Sequence, residues 1–481
     1  MFQYPPDKQA VFLPTCFYIE YRKVRRADLT EEKQKKKKRH VHPAQAIALS
    51  VLAAIAVGTV LLMLPCMTRD GRGLPPVKAI FTAVSSVCVT GLTLIDPAVT
   101  LSRYGQAVLL VLIEIGGISM VTFASFFIFS FKKRSALRSV RLAQEYTNLD
   151  VLSQVKPLVK TIIGCAVICQ LSGTVLLCLR FVPRMGAKGI WVSLFTAVSA
   201  YCNAGFDLFG VEKEFGSFCN YNSDPFVMGV VMAMIILGGI GFFVFYDIFN
   251  FRKSRRISLH TKTVLITAAI LIILGFACVF VFEYNNPATL GPLSFGEKIT
   301  ASLFQSVTTR TAGFASLDIA SLHDVTKMVM MLLMFIGAGS GSTGGGIKIT
   351  TFAVLVMTVV SVLKSRKETV VLKKRVNQAV VAKSLAIAVL SLLIVFAVTC
   401  VLSWDTPSAN GTDLFFEAVS GFSTCGLTSG ITAQVGNAGL WALIFSMYVG
   451  RIGPMCFVIA LNSKKGEDEA VIIPEGRIMV G

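Results

Sequence analysis

Four short stretches of the chain place a glycine behind small and hydroxyl-bearing residues and ahead of a large apolar one. They are FTAVSSVCVTGL at 81–92, FTAVSAYCNAGF at 195–206, FQSVTTRTAGF at 304–314 and FEAVSGFSTCGL at 416–427. Glycine enters positive φ without steric cost, so at each apex the backbone can turn its carbonyls toward a common axis. Rings of carbonyl oxygens replace the hydration shell of a cation. The hydroxyls of Ser85, Thr90, Thr311, Ser423 and Thr424 can add to such a lining. One stretch of this kind would read as a helix–turn–helix connection rich in small residues. Four of them, with apex glycines Gly91, Gly205, Gly313 and Gly426 about 110 residues apart, predict a repeat protein with a pore.

Such loops need elements to hold them at membrane depth. Of 481 residues 54% are hydrophobic and 15% charged, where a soluble chain carries about 25% charged. Each glycine stretch lies between two apolar runs: 44–66 and 105–131, 158–182 and 226–251, 263–282 and 325–363, 379–402 and 438–461. About 20 residues of helix cross the hydrocarbon core, so each run predicts a span. Non-helical backbone is tolerated in that core only where it is buried in protein or lines water. The expected fold is therefore an all-α membrane protein of eight transmembrane helices. It has four pseudo-repeats of helix, re-entrant pore loop and helix around one central pore. The expected division is a basic tail at 1–43, then repeats at 44–141, 142–260, 261–375 and 376–481.

The formal net charge is +19. Its carriers are the run KQKKKKRH at 33–40, Lys132, Lys133, Arg134, Arg138 and Arg141, then Arg252, Lys253, Arg255 and Arg256. Further clusters are Lys364, Arg366, Lys367, Lys373, Lys374 and Arg375, then Lys464 and Lys465. The tail and the connections between the units' apolar runs carry most of the Lys and Arg, so the positive-inside rule makes those segments cytoplasmic, with both termini inside and the loops entering from outside. The expected location is the cell membrane. The tail reads as a solvated charge block or a contact for anionic membrane lipid. Charge scattered over short connections is not a folded basic domain, so no nucleic-acid partner is expected. The polar opening 43 residues lack the apolar core of a signal peptide. Twelve cysteines are scattered without paired CxxC spacing, and His40, His42, His260 and His323 form no cluster, so no metal or other cofactor is expected. Nor do the spans bring together the carboxylates, histidines or nucleophile–base pair of an enzyme.

The segment FIGAGSGSTGGGIK at 335–348 breaks the last run of the third repeat. Each glycine costs a helix about 1 kcal/mol relative to alanine. With Gly337, Gly339, Gly341, Gly344, Gly345 and Gly346 set among Ser340, Ser342 and Thr343, the helix must unwind. The segment nearly fits a phosphate-binding loop, but Ile347 precedes Lys348, Ile349 follows it, and no strand leads in. Two charges lie inside apolar runs: Arg451 in YVGRIGP and Glu114 in IEIGG. An intramembrane charge is functional by default; Glu114 reads as a counter-charge or a structural partner.

CVTGL, YCNAGF, VTTRTAGF and STCGL resemble the four filter segments of the Trk/Ktr/HKT superfamily of potassium transporters. The likeness extends over nearly the whole chain from residue 44. Without further amino-terminal membrane helices, the chain is most similar to the KtrB membrane subunit. The resemblance implies that the filter is formed by Val89, Thr90, Gly91 and Leu92; Asn203, Ala204, Gly205 and Phe206; Thr311, Ala312, Gly313 and Phe314; and Thr424, Cys425, Gly426 and Leu427. It makes the glycine-rich break a movable gate, with Arg451 beside the pore below the filter and Lys348 acting similarly. Glycine at position 91, where some sodium-favouring plant relatives have serine, implies potassium, and sodium leak remains open. The resemblance further implies a homodimer and a cytosolic KtrA-like nucleotide-binding ring, with sodium as a possible activator. The third stretch is one residue shorter than the others and carries Arg310. That residue is expected to support the filter by bonding carbonyls. The rival functions are a sodium-coupled secondary transporter with inverted repeats and, further off, a membrane-embedded enzyme.

Overall fold

The structure, a computed structural model, describes residues 43–118, 152–211, 215–366 and 368–461. The basic run at 33–40, the cluster at 132–141, the latter part of the second apolar run and Lys464 with Lys465 lie outside the described residues. The first repeat contains α1 (Pro43–Leu62), α2 (Pro76–Val87) and α3 (Arg103–Gly117). The second contains α4 (Leu152–Met185), α5 (Lys188–Cys202), α6 (Pro225–Ile240) and α7 (Phe242–Ser254). The third contains α8 (Leu259–Glu283), α9 (Phe295–Thr308), α10 (Asp324–Phe335) and α11 (Ile349–Leu363). A hairpin of β1 (Val370–Val371) and β2 (Lys374–Arg375), paired antiparallel, leads to the fourth. That repeat holds α12 (Gln378–Asp405), α13 (Gly411–Ser423), α14 (Asn437–Ile452) and α15 (Pro454–Leu461).

α1, α4, α8 and α12 are each long and apolar enough to cross a bilayer. Only 22% of the spanning window of α8 or of α12 is buried in protein, so their apolar surface mostly faces lipid. Each packs against the short helix that follows it: α1 on α2, α4 on α5, α8 on α9, α12 on α13. Those short helices have 12 to 15 residues, roughly 18–23 Å at 1.5 Å per residue, too short to span. They are the buried centre of the protein. Phe81, Phe195, Phe304 and Phe416, which open the four glycine stretches, are all fully buried. Side-chain caps start several elements. Asp224 accepts from Val227 N before α6, and Ser294 and Glu297 form a reciprocal capping box on α9.

The four-repeat, all-α plan stands, but in the second and fourth repeats the second helix is bent. α6 and α7 meet at 92°, and α14 and α15 at 97°. The hinges are Gly241 and Gly453, with φ of 102° and 91°. A left-handed residue there redirects the chain, and a side chain at Gly241 would meet Ser340 O at 2.6 Å. Hydropathy registers apolar runs at 226–251 and 438–461 and is blind to the bend. In the third repeat the expected break is present: α10 ends at Phe335 and α11 starts at Ile349. Among the described residues, four helices and two bent pairs are each long and apolar enough to form a span; the second run of the first repeat continues beyond the described residues, and that of the third is broken as expected.

Candidate ion pathway

The four short helices end in one way. In the first, second and fourth repeats, Val89, Asn203 and Thr424 take left-handed φ of 57°, 59° and 52°. The next amide, of Thr90, Ala204 or Cys425, donates back to the carbonyl of Ser85, Ser199 or Ser420 at 2.8, 2.8 and 2.9 Å. This is the Schellman closure. In the third repeat Thr311 is left-handed at 66°, but Ala312 N reaches Thr308 O at 2.9 Å, a closure one residue tighter. The missing residue of that stretch is absorbed here. Val89, Thr311 and Thr424 are β-branched, for which left-handed backbone is strained. Strain of this kind clusters at functional sites.

Two residues beyond each of these positions stands the apex glycine, again with positive φ: Gly91 at 95°, Gly205 at 69°, Gly313 at 80° and Gly426 at 93°. The four form a closed ring in chain order. A Cβ on Gly91 would lie 2.7 Å from Ala204 O, and one on Gly205 2.9 Å from Ala312 O. A Cβ on Gly313 would meet Cys425 O, and one on Gly426 would meet Thr90 O and lie 3.0 Å from Gly91 Cα. Every glycine is thus pressed against the carbonyl that precedes the glycine of the next repeat. A side chain at any of the four would force the backbone of the next loop to shift. The large residue after each glycine (Leu92, Phe206, Phe314 or Leu427) is buried in the core and anchors the loop. Thr90 Oγ1, Asn203 Oδ1, Thr311 Oγ1 and Thr424 Oγ1 are buried without a protein partner, so these oxygens remain available to a polar guest.

Two of the hydroxyls expected in the lining act otherwise. Ser85 Oγ accepts from Gly91 N at 3.0 Å, fixing the turn from behind, and Ser420 does the same for Gly426 at 3.1 Å. Ser423 Oγ donates to Val419 O at 2.7 Å within its own helix. On one side of the ring lies a cavity of about 330 Å³ lined by all four glycines and by Asp96, Asp207 and Asp318. Sequence reading missed these three carboxylates. They follow the repeat glycines at different distances and form no local motif. Asp207 accepts from Phe209 N at 3.0 Å, and enclosure raises its carboxyl to about 6, with Asp96 nearby adding to the shift.

The glycine-rich segment lies against the opposite side of the ring. Side chains on Gly344 and Gly345 would collide with the hydroxyls of Thr311 and Thr424, and one on Gly346 would lie 3.3 Å from Ser423 Cα. Gly339 N donates to Gly239 O and Phe242 N to Gly341 O, both at 2.8 Å, which docks the segment on the second repeat at its bend. Lys348 Nζ donates to Gly344 O at 2.6 Å, tying the segment to itself. The guanidinium of Arg451 donates to Thr343 O in the segment and to Gly116 O in the first repeat. Arg310, buried at 4% exposure, donates to Leu333 O at 2.9 Å and to Ile336 O at 3.0 Å. The carbonyls it bonds therefore belong to the end of α10, where the segment begins, and not to the glycine ring. Glu114 has a structural partner, not a cation: its carboxylate accepts from Gln170 Nε2 at 2.8 Å and from Cys202 Sγ at 3.4 Å.

Four glycine loops closed into a ring among long apolar helices define a multi-pass membrane protein. The family model TrkH, "Cation transport protein", matches residues 8–470, and the chain belongs to that family. It is 39% identical over 440 residues to Ktr system potassium uptake protein B of Bacillus subtilis (strain 168), across 91% of this chain and 97% of that protein. It is 36% identical over 453 residues to the potassium/sodium uptake protein NtpJ of Enterococcus hirae, across 93% and 99%. Its fold matches the crystal structure of the potassium transporter TrkH from Vibrio parahaemolyticus. The TM-score is 0.67 at 16% identity, covering 89% of this chain and 86% of that one.

Proposed function

We propose that this chain takes up potassium through a filter made by the four glycine loops and gated by the segment at 336–348. The observation that carries the reading is the closed ring, in which each apex glycine abuts the carbonyl before the next one. The names of the two relatives above, one for potassium and one for potassium and sodium, support the choice of ion and leave room for sodium. Transport down the membrane potential yields about 2.3 kcal/mol per charge at 100 mV. The relatives are named as uptake proteins, and we read this chain as a transporter and not as an enzyme. Arg451 and Lys348 act on the gate, and Arg310 fixes the end of α10 from which the gate departs. The basic connections face the cytoplasm, where a KtrA-like nucleotide-binding ring docks on a homodimer. The Ktr system named for the first relative supports a partner subunit; the ring and the homodimer are part of the proposal.

The test is uptake of potassium, rubidium and sodium into proteoliposomes by wild type and by Gly91→Ser. Serine at φ 95° with its Cβ 2.7 Å from Ala204 O must displace a filter carbonyl. We expect the preference for potassium over sodium to fall about tenfold, equivalent to about 1.4 kcal/mol. An unchanged ratio in correctly inserted protein would sink the filter assignment.

A further inference from the structure

Beyond the gate segment, on the side away from the glycine ring, lies a second cavity of about 350 Å³. Three cationic side chains line it, Lys348, Lys383 and Arg451, and no carboxylate does. The carbonyls of Thr343, Gly344 and Gly116 solvate two of these charges without neutralising them. Among the described residues, no Asp or Glu lies within ion-pair distance of any of the three. Like charges sharing a low-dielectric pocket repel, and an anion among them relieves that cost.

The remaining walls say which anion. Ile47 and Val51 of α1, Ile387 of α12 and Ile459 of α15 line the same cavity. Ile47, Ile387 and Ile459 are only part-buried, so the apolar wall reaches the outer surface of the helix bundle. Lys383 is exposed and stands on the second turn of α12, and Ala44, also in the wall, on the first turn of α1. At 1.5 Å per residue the cavity extends from the helix ends to roughly 10 Å below them. That is headgroup depth, on the side where Lys364, Arg366, Lys373 and Lys374 lie. A basic floor beside an apolar, bilayer-level wall fits a phosphodiester that carries acyl chains better than it fits a free ion.

We propose that this cavity binds the headgroup of an anionic phospholipid, its phosphate held by Lys348, Lys383 and Arg451 and its chains against α1, α12 and α15. Phosphate oxygens then compete with the carbonyls of Thr343 and Gly344 for the same donors. Anionic lipid therefore loosens the segment that those donors tie down. This consequence for flux rests on the gate reading above; the binding itself does not.

The experiment follows thermal unfolding of the full chain in detergent with dioctanoyl phosphatidylglycerol, dioctanoyl phosphatidylcholine or inorganic phosphate. Wild type is compared with Lys383→Gln, a change at an exposed residue without an ion pair. Phosphatidylglycerol should raise the melting temperature and phosphatidylcholine should not. Half-saturation should need about fivefold more phosphatidylglycerol in Lys383→Gln, the share of one lysine at an anionic lipid. Equal shifts with both lipids, an unaltered Lys383→Gln curve, or inorganic phosphate matching the lipid would each overturn the site. Rubidium uptake is then compared in phosphatidylcholine vesicles with and without phosphatidylglycerol. Faster uptake with the anionic lipid, less so in Lys383→Gln, supports the coupling. Unchanged uptake beside an intact thermal shift would overturn the coupling and leave the site standing.

Discussion

Arg451 reaches from the last helix of the fourth repeat to two backbone carbonyls that belong to different parts of the pathway. One is Thr343 O in the gate segment, the other Gly116 O in the first repeat. Arg451→Ala removes both bonds. A hydrogen bond to a charged group contributes about 1.5–3 kcal/mol, and the freed carbonyls regain part of that from water entering the cavity. A net loss of about 3 kcal/mol for the closed arrangement shifts its population roughly a hundredfold toward open. Rubidium uptake into proteoliposomes should therefore rise, up to about a hundredfold, until the open form saturates. Arg451→Lys separates tether from charge. Lysine keeps the charge but lacks the planar fork that serves two carbonyls at once. A tether predicts an intermediate rise of about tenfold, whereas a purely electrostatic barrier predicts lysine like wild type. Unchanged or lower uptake by Arg451→Ala, from protein that inserts and elutes as wild type does, would refute the reasoning.

Arg310→Lys should lower thermal stability by about 1.5–3 kcal/mol, because one ammonium replaces a guanidinium that donates to Leu333 O and Ile336 O; a superimposable melting curve would contradict this. Uptake at subsaturating potassium should fall as the pH drops through about 6, as Asp207 in the cavity above the ring takes up its proton, and Asp207→Asn should flatten that dependence. The sign distinguishes this from acid unfolding. A carboxyl whose folded-state pKa lies above its unfolded value stabilises the fold as it protonates, so at this group stability rises over the range where uptake falls.

What could be read from the chain follows from what repeats. The glycine stretches were legible because each recurs four times and because Phe and Gly keep nearly the same spacing. The unwound segment was legible from its glycine density alone. The bends were not, since hydropathy averages over a window and an apolar run bent by 92° scores like a straight one. A signal was nonetheless present, in GGIG at 238–241 and GRIG at 450–453. The carboxylates of the cavity above the ring were hidden for the opposite reason. Asp96 and Asp318 each follow their glycine by five residues but Asp207 by two, and the fourth repeat has Ile431 where the first and third have aspartate. Only the ring brings three repeats to one mouth. Arg310 was foreseen as a carbonyl donor, but the identity of its acceptors depends on how α10 ends, which no local pattern encodes.

A fourfold ring lies above an unsymmetrical plug, and the small differences between repeats account for the plug. Gly116, Gly238 and Gly450 correspond: a side chain on any of them would strike the carbonyl of Val87, Tyr201 or Phe422, each six residues after the opening Phe of its stretch. The next residue is Gly117, Gly239 or Arg451. A side chain at Gly117 would meet Cys202, and one at Gly239 would lie 3.3 Å from Asn203 Nδ2, so this position faces the base of the ring. Arginine there in the fourth repeat is thereby aimed at the gate. The third repeat supplies the glycine-rich segment itself, and its stretch is the one that is shorter, closes more tightly and carries Arg310. Asn203 Nδ2 donates to the Arg310 carbonyl at 3.3 Å, and the Arg310 side chain holds the end of α10. The end of α10, from which the glycine-rich segment departs, is thus joined to Thr311 through Arg310, and Arg310 in turn to Asn203 of the second repeat. Arg451 links the same segment to the first and fourth repeats. The segment is hydrogen-bonded to the second and fourth repeats and joined through Arg451 to the first, so on the proposed gate reading opening must release contacts on several sides together.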